Sequence, residues 1–193
     1  MQPDQLTEAV ARVAALAGER EPRAGGPLVV AVDGRSGTGK TTYAEALGAC
    51  LDAPVLHLDD IYPGWDGLEA AVRTLAGDVL EPLSRGERAA YRGWDWVHDR
   101  PGALRPVPST ERLVVEGVGA AALPAGDHAD VVVWLEADDA VRKDRALRRD
   151  GEVFAREWDR WAAGEERLLA RDRIRDRADV VLDTTGWTRA DLG

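Results

Sequence analysis

Cysteine is almost absent from this chain, phenylalanine equally so, and positive charge is in deficit. Cys50 is the single cysteine among 193 residues, which excludes an intramolecular disulfide and a thiolate metal cluster. It is read as a small buried residue on the helix that carries Ala46 and Leu47. Lysine and arginine number 25 against 35 aspartates and glutamates, a formal net charge of -10. Nucleic-acid backbones and anionic lipids reward contiguous positive charge, so neither partner is expected, and any phosphorylated ligand must be held by a local site. Long apolar runs are missing too. No segment approaches the roughly 18 uninterrupted apolar residues of a spanning helix. The opening MQPDQLTEAVARVAALAGER has neither the basic n-region nor the continuous apolar h-region of a signal peptide, and a cytoplasmic location is expected.

What is present alternates between two periodicities. Leu6, Val10, Val13, Ala14 and Ala17 recur at helical spacing and end at Gly18. PLVVAVDG, Pro27 to Gly34, is a short apolar run rich in β-branched residues and reads as a buried strand. A glycine-rich loop follows it, and helical spacing resumes over residues 40–51. PVLHLDD offers a second strand, after which Leu68, Val72, Leu75, Val79 and Leu83 trace a helix face. Further strands are expected around Val114, Val132 and Val181, with a long charged helical region from Asp138 to Arg177 before the last. Residues 84–110, carrying Pro101, Pro106 and Pro108, read as an irregular insertion on one side of the core. This rhythm implies an α/β fold, a mostly parallel sheet covered on both faces, in one domain spanning residues 1–193.

GRSGTGKT, Gly34 to Thr41, satisfies GxxxxGK[ST] and lies between an apolar strand and a helix, where the mechanism of a phosphate-binding loop demands. Its glycines let successive N–H groups turn inward around phosphate oxygens. Lys40 would reach the β and γ phosphates, Thr41 would ligate Mg²⁺, and the helix N-terminus adds a favourable field. No NKxD segment follows the fourth strand and no apolar run ends in Asp-Glu. A guanine-reading switch and a motor ATPase are thereby disfavoured, leaving a small-molecule kinase or a regulatory, non-catalytic nucleotide-binding protein.

These residues together resemble the uridine kinase-like branch of the P-loop kinases. VDGRSGTGKTT is similar to that family's opening motif, LDDIY to its DxFY segment, VVEGVG to its strand ending in Glu-Gly, and VRKDRALRRDG to its lid helix. The resemblance runs from about Val29 to Thr185. It implies the three-layer P-loop fold with a five-stranded parallel sheet of order 2-3-1-4-5. A helical lid over about 138–165 and a small acceptor-side insertion over about 84–110 complete that fold. It also implies ATP and Mg²⁺ as cofactors and phosphoryl transfer to a hydroxyl of a small acceptor. GERAAYRGWDWVHD looks like the segment that ends in Tyr-Asp-Phe-Val-x-His, but Asp99 occupies the place of the base-recognising histidine and His98 falls one residue early. A nucleoside, a sugar, a vitamin-like alcohol or a specialised metabolite all remain candidates for the acceptor, and a homodimer is left open.

Phosphoryl transfer needs an aligned acceptor oxygen, a destination for its proton and positive charge on the transferring group. Gly34, Ser36, Gly37, Thr38, Gly39, Lys40, Thr41 and Thr42 are assigned to the donor phosphates, and Arg142 to the adenine side. Arg145 and Arg149 are the phosphate-contacting arginines of the lid. Asp59 is the proposed base, expected at the C-terminal end of a strand beside the phosphate-loop strand. Thr41, Asp59 and Glu116 are assigned to the metal. Asp60, Tyr62, Trp65, Trp94, Asp95, His98 and Arg100 are candidates for the acceptor side, and Trp96 shares their segment. Trp134, Trp158, Trp161 and Phe154 read as packing residues, and His57 as a support for the site rather than a catalyst.

Overall fold

The computed structural model describes residues 4–23, 25–188 and 191. In chain order the elements are α1 (Gln5–Gly18), β1 (Leu28–Gly34), α2 (Lys40–Leu51), β2 (Val55–His57), α3 (Leu68–Thr74), α4 (Glu81–Ser84), β3 (Ala90–Asp95), β4 (Arg100–Pro106), β5 (Arg112–Glu116), β6 (Val131–Glu136), α5 (Asp139–Asp172), α6 (Ile174–Arg177) and β7 (Val180–Asp183). A π-helical stretch, Leu75–Leu80, joins α3 to α4, so Leu68, Val72, Leu75, Val79 and Leu83 are buried along one winding segment.

Five strands pair in parallel in the order β2-β5-β1-β6-β7. Counted within this sheet alone, the order is 2-3-1-4-5, the order the resemblance implies. Its centre is apolar on both faces, as a sheet covered by helices on both sides requires. Val29 and Ala31 of β1 join the core under α3 and the distal half of α5, whereas Leu28, Val30 and Val32 join the core under α1 and α2. Val30 and Val32 are fully buried, each contributing about 1.5–3 kcal/mol relative to exposure. Strand starts are pinned by buried or half-buried carboxylates. Asp130 accepts from Val29 N at 2.8 Å, and Asp179 accepts from Val132 N at 2.8 Å.

Three expectations are corrected here. β2 lies beside β5 and not beside β1, so the strand carrying Glu116 separates the Asp59 segment from the phosphate-loop strand. Cys50 is exposed, because α2 turns Tyr43, Ala44, Leu47 and Leu51 inward and position 50 falls at the flank of that face, beside Tyr43 and Leu47, near the helix end. The 84–110 segment is not irregular throughout: β3 and β4 pair antiparallel as a separate two-stranded sheet, with a register shift between Arg92 and Trp94. The long region after β6 is helical, but Gly151, at φ 67° and ψ -153°, divides α5 into two helical parts. That conformation is open essentially to glycine alone.

Candidate active site

The loop from Gly34 to Thr41 leaves the C-terminal end of β1 and enters α2, whose first residue is Lys40. Gly37 has φ 85°, and a Cβ there would stand 1.9 Å from the Arg142 carbonyl oxygen. Only glycine therefore lets α5 lie directly on the loop. Lys40 is buried, and its Nζ donates back to the Arg35 carbonyl at 3.1 Å. Thr38 Oγ1 donates to the same carbonyl at 2.9 Å. Thr184, just after β7, donates to the Thr38 carbonyl at 2.8 Å, so the closing loop fixes the phosphate loop from the far side.

Three carboxylates stand around this loop. Glu116 ends β5, is 2 % exposed, and accepts from Thr41 Oγ1 at 3.3 Å. Its Oε1 is also 2.9 Å from His57 Nδ1, and that bond raises the His57 pKa. Asp59 occupies a 3₁₀ turn, Leu58–Asp60, immediately after β2. Its carboxylate makes no hydrogen bond or ion pair among the described residues. Although Asp59 is open to solvent at the cleft floor, the surrounding walls push its carboxyl above the usual range, and Glu116 adds to the rise while Lys40 and Arg149 oppose it. Asp33 is the carboxylate that the sequence reading passed over. It is fully buried and accepts from Gly34 N at 2.7 Å, Gly119 N at 3.0 Å and Ala121 N at 2.9 Å. Burial pushes its carboxyl up to about 6 against those three bonds and the Lys40 charge.

Among the described residues no group of three or more His, Cys, Asp or Glu side chains could hold a metal ion. Thr41 Oγ1, Glu116 and Asp59 are nonetheless hard oxygen donors around one cavity. That set fits Mg²⁺, which is bound through one or two carboxylates and fills its octahedron mainly with water and substrate phosphates.

The three arginines assigned to donor binding on α5 separate. Arg149 lines the same cavity as Lys40, Thr41, Asp59 and Glu116, with its Nε and Nη2 on the two Asp150 oxygens at 2.8 Å each. Arg145 instead donates to the Thr184 and Trp187 carbonyls at 3.0 and 2.9 Å. The structure thus puts Arg145 on the closing loop and not at the phosphate loop, one helical turn from Arg149. Arg142 is 4 % exposed, pairs with Asp139 at 2.7 Å, and lies 5.3 Å from the Trp158 ring centroid. It is held inside the protein. Glu165, also missed from sequence, is fully buried on α5. It accepts from Ser36 N at 2.8 Å, Arg35 Nε at 3.1 Å and Trp161 Nε1 at 3.1 Å, tying the distal half of α5 to the phosphate loop.

Beside the donor cavity opens a cleft of about 450 Å³. Tyr62, Trp65, Trp96, Phe154 and Trp161 wall it, with Asp59, Asp60 and Asp150 among them. Trp65 stacks on Phe154 with centroids 5.4 Å apart and meets Trp96 at 4.9 Å. Phe154 and Trp161, read from sequence as packing residues, are thus cleft walls as well. Trp94, Asp95, His98 and Arg100 lie outside this lining. Asp95 caps the hairpin turn, with His98 Nδ1 at 2.8 Å and Arg100 Nε at 3.8 Å from its Oδ2. The candidate residues of the turn are therefore occupied with one another. Asp60 pairs with Arg105 at 2.6 Å, docking the hairpin against the cleft.

No family model and no curated protein matches the chain. Solved structures do. A possible uridine kinase from Bacillus stearothermophilus superposes with a TM-score of 0.68 at 20% identity, over 93% of this chain and 100% of that one. D-glycerate 3-kinase from Cryptococcus neoformans gives a TM-score of 0.59 at 14% identity, over 94% of this chain and 96% of that one. The likeness is one of fold: this chain has the architecture shared by uridine kinase-like P-loop kinases over most of its length. Among the described residues no helix is long and apolar enough to cross a membrane.

Proposed function

We propose that the protein is an ATP-dependent small-molecule kinase that transfers the γ-phosphoryl group to a hydroxyl of its acceptor. One observation carries this reading. The cavity holding Lys40, Thr41 and Glu116 and the aromatic cleft meet along a shared wall made by Ser36, Thr41, Asp59, Arg149 and Trp161. Asp59 is thus at the seam between donor and acceptor, where an attacking oxygen must lose its proton.

In this mechanism the loop N–H groups and Lys40 cradle the donor phosphates, and Arg149 leaves Asp150 to bind the transferring group. Thr41 and Glu116 would hold Mg²⁺, which would supply charge neutralisation on the phosphate oxygens, leaving the Asp59 carboxylate to the acceptor. The acceptor oxygen attacks the γ-phosphorus as the bond to the β–γ bridging oxygen breaks. ADP leaves with that electron pair, and the acceptor proton passes to Asp59. A raised Asp59 pKa brings the base closer to working pH, which improves it as a proton acceptor. The kinase reading and a non-catalytic, regulatory one differ in turnover. Mass spectrometry of reactions with Mg²⁺, ATP and a panel of hydroxylated metabolites tests them: phosphorylation of an acceptor with matching ADP release supports the kinase, and tight ATP binding without transfer contradicts it.

A further inference from the structure

The proposed base is anchored by its peptide and not by its side chain. The Asp59 carboxylate makes no hydrogen bond or ion pair among the described residues, so the direction of the side chain rests on its backbone. The residues that follow do not hold the Asp59 carbonyl: the N–H groups of Ile61 and Tyr62 both go to the Leu58 carbonyl, at 2.8 and 3.0 Å, and Pro63 has no N–H. That carbonyl is held from across the cleft instead. The Trp96 indole N–H donates to it at 2.8 Å.

Trp96 is equipped for that task by the hairpin that carries it. The strand leading to it is rooted in the core through Ala89 and Tyr91, and the turn beyond it is closed by Asp95, whose Oδ1 accepts from Val97 N and His98 N at 3.2 and 3.1 Å. The same hairpin holds the next residue along, Asp60, through Arg105 at 2.6 Å. The Trp96 ring meets the Trp65 ring with centroids 4.9 Å apart, and it lines the acceptor cleft. One indole thus presents its ring to the acceptor's space and its N–H to the peptide of the base.

We infer that Trp96 is a positioning residue of the transfer reaction: through the Asp59 carbonyl it fixes the peptide plane from which the Asp59 side chain reaches the seam between donor and acceptor. The inference rests on the kinase reading and adds to it the origin of the base's placement. The parallel sheet brings Asp59 to the edge of the site, and the hairpin sets its final orientation. Misplacing a catalytic group by about 1 Å can cost about a hundredfold in rate. One hydrogen bond across the cleft is therefore enough to matter.

The test is a double-mutant cycle between Trp96→Phe and Asp59→Asn. The first substitution keeps an aromatic wall and removes the N–H; the second keeps the carbonyl and removes the basicity. Single-turnover transfer from γ-labelled ATP with Mg²⁺ is followed at saturating acceptor, the acceptor being whichever of the panel's hydroxylated metabolites the natural chain phosphorylates. With Asp59 in place, Trp96→Phe should slow transfer by about ten- to a hundredfold, the half-saturating acceptor concentration moving less. In the Asp59→Asn background the same substitution should cost less than about threefold, because no base remains to be placed. A loosened hairpin or a partly unfolded preparation lowers the rate by the same factor in both backgrounds. A loss of equal size in both, a loss confined to acceptor affinity, or no loss at all overturns the inference. Absence of transfer by the natural chain to every member of the panel defeats the kinase reading and this inference with it, whereas transfer with equal losses defeats this inference alone.

Discussion

Asp59 and Asp33 are two carboxylates of one site in different surroundings, the first open to the cleft and the second fully buried. Asp59 stands at the donor–acceptor seam with no protein donor on its side chain, which suits a group that must take a proton. Asn in its place keeps the shape and removes the basicity, so kcat should fall by about 10²–10⁴-fold, with ATP affinity changing far less. In the proposed mechanism Asp59 acts ionised, and its pKa is raised chiefly by desolvation, so activity should be lost as pH falls through a value above that of an ordinary aspartate. The acid limb of kcat/KM measures this in the free enzyme. Asp33 is saturated with backbone donors instead, and it holds the phosphate loop to the 117–121 turn. Burial raises its pKa to about 6 in the folded chain, above the ordinary aspartate value of 3.8, so the folded chain binds the additional proton between those values. The stabilisation from that proton is complete below about pH 4 and is lost as pH rises through about 6. A ¹³C-carboxyl titration should find one aspartate titrating near 6 that disappears in Asp33→Asn. Sequence pattern singled out Asp59 because it follows an apolar run beside a recognisable partner loop. It passed over Asp33 because a carboxylate inside an apolar strand has no sequence signature until the turn that caps it is known.

Helix α5 is the element on which the site depends, and its two halves do different work. Before Gly151 it carries Arg142, Arg145 and Arg149; after it come Phe154, Trp161 and Glu165, which form the cleft wall and the anchor of the phosphate loop. Any side chain at position 151 faces a backbone conformation reserved for glycine. Gly151→Ala should cost about 1–3 kcal/mol, read as a lowered melting temperature. Its kcat should fall further than that loss explains, since Arg149 and Phe154 are displaced from each other. Glu165→Ala leaves the buried Ser36 N–H without its acceptor and removes the carboxylate paired with Arg35 Nε. Breaking a buried pair in this way costs about 3–5 kcal/mol, a drop in melting temperature of about 10 °C for a chain of this size, and ATP-analogue binding should weaken with it. The helix and its charged face were legible from spacing. The break at Gly151 was not, because a lone glycine in a helical pattern is usually tolerated. Nor was the inward turn of Glu165, since its phosphate-loop partners, Arg35 and Ser36, lie about 130 residues away along the chain.

Across the whole molecule, the family resemblance supplied the strand order, whereas the alternation of apolar runs with 3.6-residue periodicity was enough to read a mostly parallel sheet and the position of the phosphate loop. The last two are consequences of local pattern and of the chirality of parallel crossovers. The acceptor side was less legible, because it is assembled from three separated segments: the turn after β2, the β3–β4 hairpin and the distal half of α5. Residues 94 to 100 looked like the acceptor contacts in sequence, yet most of them close the hairpin turn on itself, and only Trp96 reaches the cleft. The measurement that bears most directly on the account is single-turnover transfer from γ-labelled ATP, in the presence of Mg²⁺, to an acceptor found in the metabolite panel, comparing the natural chain with Asp59→Asn. The account predicts labelled acceptor and ADP from the natural chain, and an Asp59→Asn variant that binds ATP but transfers at least about a hundredfold more slowly; full transfer by that variant would contradict it.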